Sequence, residues 1–339
     1  MRTRNDLKIL QALPLELKIK MTQRRISDWV SEFGTNGVYV SFSGGKDSTV
    51  LLHLVRELYP DVEAVFVNTG LEYSEIQKFV KTFENVTILR PKMRFDEVIK
   101  KYGYPIISKE VSLKVDNARK GGVCRDDFIK GTIREARCGG RYSLIKYAPL
   151  LNTDFNISHF CCNVMKKIPA KDFEKHTGKK PILATMAEES RYRDQAWLKN
   201  GCNAFDAKRQ TSQPMSFWTE QDVLQYIKEN NIPIASVYGD IVYAEDPEQM
   251  RLEDFRREKL TTTGCKRTGC IFCAYGCHLD HEPSRFQRLK QTHPRQYEYC
   301  LGGGEYDEDG IWKPNKDGLG MRHVFDEINK IYGDGFIKY

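Results

Sequence analysis

The sequence predicts an α/β fold, a parallel twisted sheet with helices on both faces, followed by an irregular Cys-rich segment toward the carboxyl end. Three observations predict it. Short apolar runs at Val38–Val40, Ala64–Asn68 and Val86–Leu89 are separated by stretches of helical periodicity, the pattern of βαβ units. The run Ser41-Phe42-Ser43-Gly44-Gly45-Lys46-Asp47-Ser48 lies between the first such strand and the helix after it. Four cysteines crowd into Cys265–Cys277, in a region where the periodicity has faded.

The elements follow in order. Leu15–Phe33 reads as an amphipathic helix: Pro14 suits its first turn, Leu15, Ile19, Ile26, Trp29, Val30 and Phe33 fall near one face, and Gly34 ends it. It is expected to pack over the sheet edge. The first strand, the Gly-rich turn and a helix to about Leu58 come next, then Pro60-Asp61 and the second strand, closed by Thr69-Gly70. Glu75–Phe83 is a helix, Val86–Leu89 the third strand and Pro181–Met186 a fourth, buried one. Thr219 is placed to cap a helix with Asp222 three residues on, and that helix ends near Asn231, before Pro233. The expected division is a helical segment 1–35, a nucleotide-binding domain 36–237 with a basic insertion at 90–146, and a Cys-rich region 238–339. No internal repeat is evident.

Bulk properties restrict the function. At 339 residues, 40% of them apolar and 11% aromatic, the chain can bury the core of one large domain or two ordinary ones. No run of eighteen apolar residues occurs, and the amino terminus lacks an apolar signal core. A cytoplasmic protein with no membrane partner is expected. In that compartment ten cysteines point to metal ligands or redox thiols rather than to disulfides. The net charge is +7, and residues 90–146 hold 15 Lys and Arg against 7 Asp and Glu, so this stretch accounts for the whole excess. Lys109, Lys114, Arg119, Arg125, Arg134 and Arg137 belong to it. It reads equally as a polyanion-binding arm, nucleic acid being the natural partner, and as a helical insertion with a solvated face.

The Gly-rich turn carries the most chemistry. Between strand and helix it gathers free backbone N–H groups and the positive end of a helix dipole. Gly44 and Gly45 let the backbone approach an anion, Ser43 and Ser48 add hydroxyls, and Lys46 supplies a point charge. The natural ligand is a phosphate chain. The spacing is not that of the common P-loop, because Asp47 follows Gly45-Lys46. The six residues SGGKDS resemble instead the pyrophosphate loop of the ATP pyrophosphatase superfamily, whose members split nucleotides between the α and β phosphates or bind adenylyl sulfates.

Further motifs sharpen the resemblance. SGGKDS, Asn68-Thr69-Gly70, Cys161-Cys162 with Lys166-Lys167-Ile168-Pro169, Glu189-Ser190-Arg191-Tyr192-Arg193 and Pro214–Thr219 together resemble the phosphoadenylyl sulfate (PAPS) reductase family in its broad sense, over residues 36–280. That family includes APS and PAPS reductases and the ATP pyrophosphatases of sulfur-transfer systems, among them the one serving DNA phosphorothioation. The resemblance implies an adenine nucleotide α-hydrolase-like fold. It implies that Ser41, Ser43, Gly44, Gly45, Lys46, Asp47 and Ser48 hold the pyrophosphate of ATP, or the sulfate or phosphate of an adenylyl sulfate. Asp47 would help to position Mg²⁺, Thr69 and Gly70 would border the adenosine, and Arg191 and Arg193 would reach the phosphates.

The cysteines leave alternatives open. Cys265, Cys270, Cys273 and Cys277 place four thiols within thirteen residues, a spacing that suits zinc or an iron–sulfur cluster. APS reductases carry a Cys-Cys pair and a later Cys-x-x-Cys that jointly hold a [4Fe-4S] cluster, and Cys161-Cys162 with Cys270 and Cys273 resembles that set. The phosphorothioation-type enzymes resemble the local set. Six candidates therefore compete for four places in a [4Fe-4S] cluster, with zinc as the alternative and Cys270 and Cys273 common to both sets.

Three functions follow. The reductases use a thiol in a carboxyl-terminal tail, and this sequence ends Gly335-Phe336-Ile337-Lys338-Tyr339, with Cys300 its last thiol. The preferred expectation is an ATP-dependent sulfur-transfer enzyme that adenylylates an acceptor, with nucleic acid as one such acceptor and a cysteine desulfurase or other donor supplying sulfur. The second is an APS or PAPS reductase with Cys300, in a Gly-rich neighbourhood, as a mobile nucleophile. The third is a non-catalytic nucleotide- and cluster-binding module.

Overall fold

A computed structural model describes residues 2–121, 123–130, 144–244 and 259–339. Arg134, Arg137 and Cys138 lie outside the described residues. The chain forms two compact units, each discontinuous in sequence. Unit 1 is Met1–Asn68, Glu72–Arg90 and Pro169–Thr268, and unit 2 is Thr69–Leu71, Pro91–Ile168 and Gly269–Tyr339. This division cuts across the three consecutive segments expected: the basic stretch and most of the Cys-rich region share a unit, and the amino-terminal helices belong with the nucleotide loop.

The described strands of the first part of the chain are β1 (Val38–Ser41), β2 (Ala64–Val67), β3 (Val86–Leu89), β4 (Ile106–Ile107), β5 (Lys180–Ile182), β6 (Asn203–Ala204) and β7 (Thr211–Ser212). All but β4 form the six-stranded sheet of unit 1, in the order β3-β2-β1-β5-β7-β6. Every pairing is parallel except β6 with β7. From β1 the chain moves outward through β2 to β3 and returns to the other side of β1 as β5. Strand order reverses at the β1/β5 pair, where ligands of such sheets bind beyond the carboxyl ends. The Gly-rich turn leaves β1 at that point.

Helices α1 (Arg4–Gln11), α2 (Leu15–Phe33), α3 (Lys46–Leu58) and α4 (Ser74–Val80) accompany this sheet. The bounds of α2 match the periodicity, and Gly34 ends it with a positive φ of 76°. Ile26, Trp29 and Val30 are buried in the unit 1 core with Phe42, Val50, Leu51, Phe217 and Trp218. That core also holds an ion pair: Lys18 Nζ, 1% exposed, lies 2.6 Å from Asp222 Oδ2 and donates to the Gln11 carbonyl. Thr219 and Asp222 form the expected capping box on helix Glu220–Glu229. The fourth strand is shorter than expected, because Leu183 N donates to Ser212 O and the chain then leaves the sheet.

Unit 2 is mostly helical, with α5 (Phe95–Tyr102), α6 (Lys109–Arg119) and α7 (Val123–Lys130) from the basic stretch. Strand β4 pairs in parallel with Ala274–Tyr275, joining two chain segments far apart in sequence. The Cys-rich carboxyl-terminal region is irregular across residues 263–273, as expected, but not throughout. It forms helices at Arg285–Thr292, Pro294–Leu301 and Met321–Tyr332, the last burying Met321, Val324, Phe325 and Ile328 at helical spacing. Among the described residues no helix is long and apolar enough to cross a membrane.

Candidate nucleotide and thiol sites

In unit 1 the turn after β1 is held by its own serines. Ser43 N donates to Ser48 Oγ at 3.1 Å, and the two hydroxyls lie 3.0 Å apart. Ser48 Oγ and Thr49 Oγ1 both donate to the Gly45 carbonyl, at 3.0 and 2.9 Å. Gly44 has φ +72°, and a Cβ there would meet Ile76 and Val80 of α4 at 2.8 Å. Glycine is therefore required twice over, by conformation and by close approach. The turn ends with Gly45 as the residue before α3, so the first amides of α3 face outward from the carboxyl end of β1.

Charged groups surround this loop. Lys46 is buried, lies 3.3 Å from Glu220 Oε1 and sits over the Tyr238 ring at 5.4 Å. Tyr238 in turn is hydrogen-bonded to Thr268 Oγ1. Burial raises the Asp47 carboxyl above its ordinary range, against the pull of Lys46, Arg267 and Arg193. Burial, then the neighbouring charge of Arg267, lowers Arg193, which pairs with Glu189. Arg267 reaches the other oxygen of Glu189 at 3.3 Å. Glu188 accepts from the Glu220 amide at 2.5 Å, and burial raises its carboxyl.

The structure thus gathers Ser41, Ser43, Gly44, Gly45, Lys46, Asp47, Ser48 and Arg193 in unit 1. Arg191 begins helix Arg191–Asn200 and is exposed. Thr69 and Gly70 belong to unit 2, where Thr69 Oγ1 accepts from Leu71 N. Sequence reasoning missed Arg267, Glu188, Glu220 and Tyr238. Arg267 was hidden inside the Cys265–Cys277 motif, and the others carry no local signal.

The thiols form a second site. Among the described residues none of eight cysteines is in a disulfide. Cys161, Cys162, Cys270, Cys273 and Cys277 fall in unit 2, whereas Cys265 falls in unit 1. Cys161 and Cys162 hydrogen-bond through their side chains, and Cys161 feels the charges of Cys162, Cys270 and Cys273. That bond raises Cys161 and lowers Cys162, whose thiolate is further favoured by Lys109 and Lys166. Burial raises Cys273, and it pushes Cys277 up to about 12. Directly after the pair, Asn163–Lys167 winds as a widened π-helical turn, a distortion that recurs at functional sites. Arg285 clamps the later thiols, pairing with Asp280 at 2.7 Å and donating to the Cys273 and Tyr275 carbonyls. Thiols of two chain segments, Cys161-Cys162 and Cys270 with Cys273, are therefore near enough for their charges to interact, and Cys277 likewise feels Cys273. Among the described residues no group of three or more His, Cys, Asp or Glu side chains is placed to hold a metal ion.

One expectation is corrected. Cys300 is fully buried, its thiol raised by that burial and its sulfur 3.5 Å from Met321 Sδ, so it is not a mobile nucleophile. Within the basic stretch, Arg119 donates to the carbonyls of Leu150, Thr153 and Phe155 and is a structural clamp, while Lys109 faces the Cys162 thiol.

Comparison with known proteins gives the family. Residues 37–118 and 146–275 match the phosphoadenosine phosphosulfate reductase domain. The chain is 40% identical over 288 residues to an uncharacterized protein of Methanocaldococcus jannaschii, a match covering 81% of this chain and 51% of that protein. It is 27% identical to sulfate adenylyltransferase subunit 2 of Streptomyces lavendulae, over 62% of this chain and 58% of the relative. It is 30% identical to the adenosine 5'-phosphosulfate reductase of Bacillus cereus, over 23% of this chain and 36% of the relative. The chain spans about half the length of the first of these relatives. With the family's domain matched across most of its length, the chain belongs to the phosphoadenosine phosphosulfate reductase domain family.

Proposed function

We propose that this chain is an ATP-dependent sulfur-transfer enzyme that adenylylates an acceptor and then exchanges AMP for sulfur. One observation carries the choice of ATP over an adenylyl sulfate. The phosphate loop is bordered not only by Lys46, Arg193 and Arg267 but by four carboxylates, Asp47, Glu188, Glu189 and Glu220. Those carboxylates repel a bare sulfate or phosphate ester, but they suit a pyrophosphate that arrives with its own divalent cation. Asp47 and Glu220 are the residues that would hold Mg²⁺, which would neutralise charge on the departing pyrophosphate. An acceptor oxygen attacks the α-phosphorus, the bond between that phosphorus and the bridging oxygen breaks, and pyrophosphate leaves into the α3 amides and Lys46. The relative named for adenylyl transfer to sulfate supports this reading.

Cys161, Cys162, Cys270 and Cys273 would hold a [4Fe-4S] cluster. Four cysteine sulfurs are the ligand set of a [4Fe-4S] cubane, with zinc as the alternative. A sulfur nucleophile supplied by a desulfurase or other donor displaces AMP from the adenylylated acceptor. Nucleic acid is the proposed acceptor, and a reducing cytoplasm the proposed setting, where free thiols persist.

The test is anaerobic purification, an absorption spectrum, and parallel assays of pyrophosphate from ATP and sulfite from adenylyl sulfate. Pyrophosphate release that nucleic acid stimulates and Lys46→Ala lowers by about 10²–10³-fold is expected. Sulfite formation without pyrophosphate release overturns the proposal.

A further inference from the structure

A second charged surface lies in unit 1 at the opposite end of the sheet from the phosphate loop. Helix Ile168–Thr177, the turn before β5 and the segment before β7 enclose a depression of about 300 Å³. Lys171, Lys175, Lys179, Lys180, Lys208 and Arg209 line it. Its one acidic lining residue, Glu174, is already engaged by Arg209 at 2.9 and 2.5 Å and accepts from the Tyr39 hydroxyl at 2.8 Å. Lys179 is paired with Glu63 at 2.5 Å. Lys171, Lys175, Lys180 and Lys208 have no acidic partner among the described residues, and Lys171, Lys175 and Lys208 are exposed. Lys171 and Lys175 share a helix face, four residues apart, where like charges repel unless an anion sits between them.

We propose that this depression is a docking site for double-stranded nucleic acid, held through its phosphates. Lysines are compact point charges that grip a phosphate backbone without reading bases. Among the described residues Pro181 is the only apolar one lining the depression, and no aromatic ring lines it. It therefore offers neither an apolar wedge for a lipid surface nor a platform on which the bases of a single strand stack. The register pairs Lys180 with Val38 and Ile182 with Val40, so Lys180 lies about 10 Å along β1 from Ser41, at roughly 3.3 Å per residue. A single phosphate held here does not touch the loop, whereas a duplex is long enough to occupy this site and continue past it. The site stands whether or not nucleic acid is the sulfur acceptor, since binding is measured without turnover.

The experiment uses the full chain and a labelled 24-bp DNA duplex of mixed sequence, with anisotropy read across a salt series. Four phosphate contacts give a slope of log K against log salt near −3.6. The triple variant Lys171→Ala/Lys175→Ala/Lys208→Ala should weaken binding by on the order of tenfold or more and flatten the slope by about 2.7. The corresponding triple Lys→Arg variant should bind as the wild type does. Unstimulated pyrophosphate release should be unchanged in both, which separates this site from the nucleotide site and reports folding. An unchanged slope in the alanine variant overturns the proposal. So does preferential binding of single strands, or of vesicles of phosphatidylcholine and phosphatidylserine lost in the same variant.

Discussion

The two units build their sites in opposite ways. Unit 1 makes its phosphate loop from eight consecutive residues on a mostly parallel sheet, over an apolar core that also holds the Lys18–Asp222 ion pair. Unit 2 makes its thiol cluster from Cys161-Cys162 and Cys270–Cys273, more than a hundred residues apart, joined by the β4 pairing and clamped by arginines bonded to carbonyls. A contiguous site is rigid once its strand and helix form. A split site depends on long-range contacts and on charged clamps, each with its own desolvation cost.

The largest expected effect tests the unit 1 scaffold. Asp222→Ala leaves the Lys18 ammonium buried against a single carbonyl and should cost about 3–5 kcal/mol. Hydrogen exchange should show lost protection in residues 1–68 and 169–268. Equal loss in unit 2 would erase the distinction drawn here.

Next comes a dissociation of function. Lys46→Ala should lower pyrophosphate release by about 10²–10³-fold, as expected for removing a donor to a leaving group. It should leave the absorption of the anaerobic protein intact. Cys270→Ser should bleach that absorption while nucleotide binding persists. Coupled loss in either direction would mean that the two sites are not separable.

Legibility in the sequence follows the same contrast. The Gly-rich loop, α2 and the Thr219–Asp222 capping box depend on neighbours within a few residues, and all three were readable. Arg267, Glu220 and Tyr238 reach the loop only through tertiary folding, so no spacing announces them. The helix Met321–Tyr332 does carry an apolar stripe, but the glycines and cysteines before it masked the period. The two units were not legible at all. Composition changes along the chain, whereas each unit is assembled from three separate pieces.

A moderate effect is expected from the unit 2 clamp. Arg119→Ala strips partners from the Leu150, Thr153 and Phe155 carbonyls and should destabilise unit 2 by about 2–3 kcal/mol, measured by denaturant titration. It should leave the salt dependence of nucleic-acid binding unchanged. A flattened salt slope would return this residue to the polyanion-binding role first expected for the basic stretch.

The smallest effect concerns Asp47 and has a sign set by its burial. Burial raises this carboxyl, so the folded chain holds its proton more tightly than the unfolded chain does. The associated stability is present below the unfolded carboxyl range and is lost as pH rises through the folded value. Near neutrality the ionised group therefore costs stability in the nucleotide-free protein. Asp47→Asn should raise Tm by about 2–4 °C at pH 7.5 and by much less at pH 4, while nucleotide turnover falls. Calorimetry at the two pH values measures the difference. A lower Tm at pH 7.5 would show that attraction to Lys46, Arg267 and Arg193 outweighs desolvation, making Asp47 a structural ion-pair member rather than a carboxylate held ready for a cation.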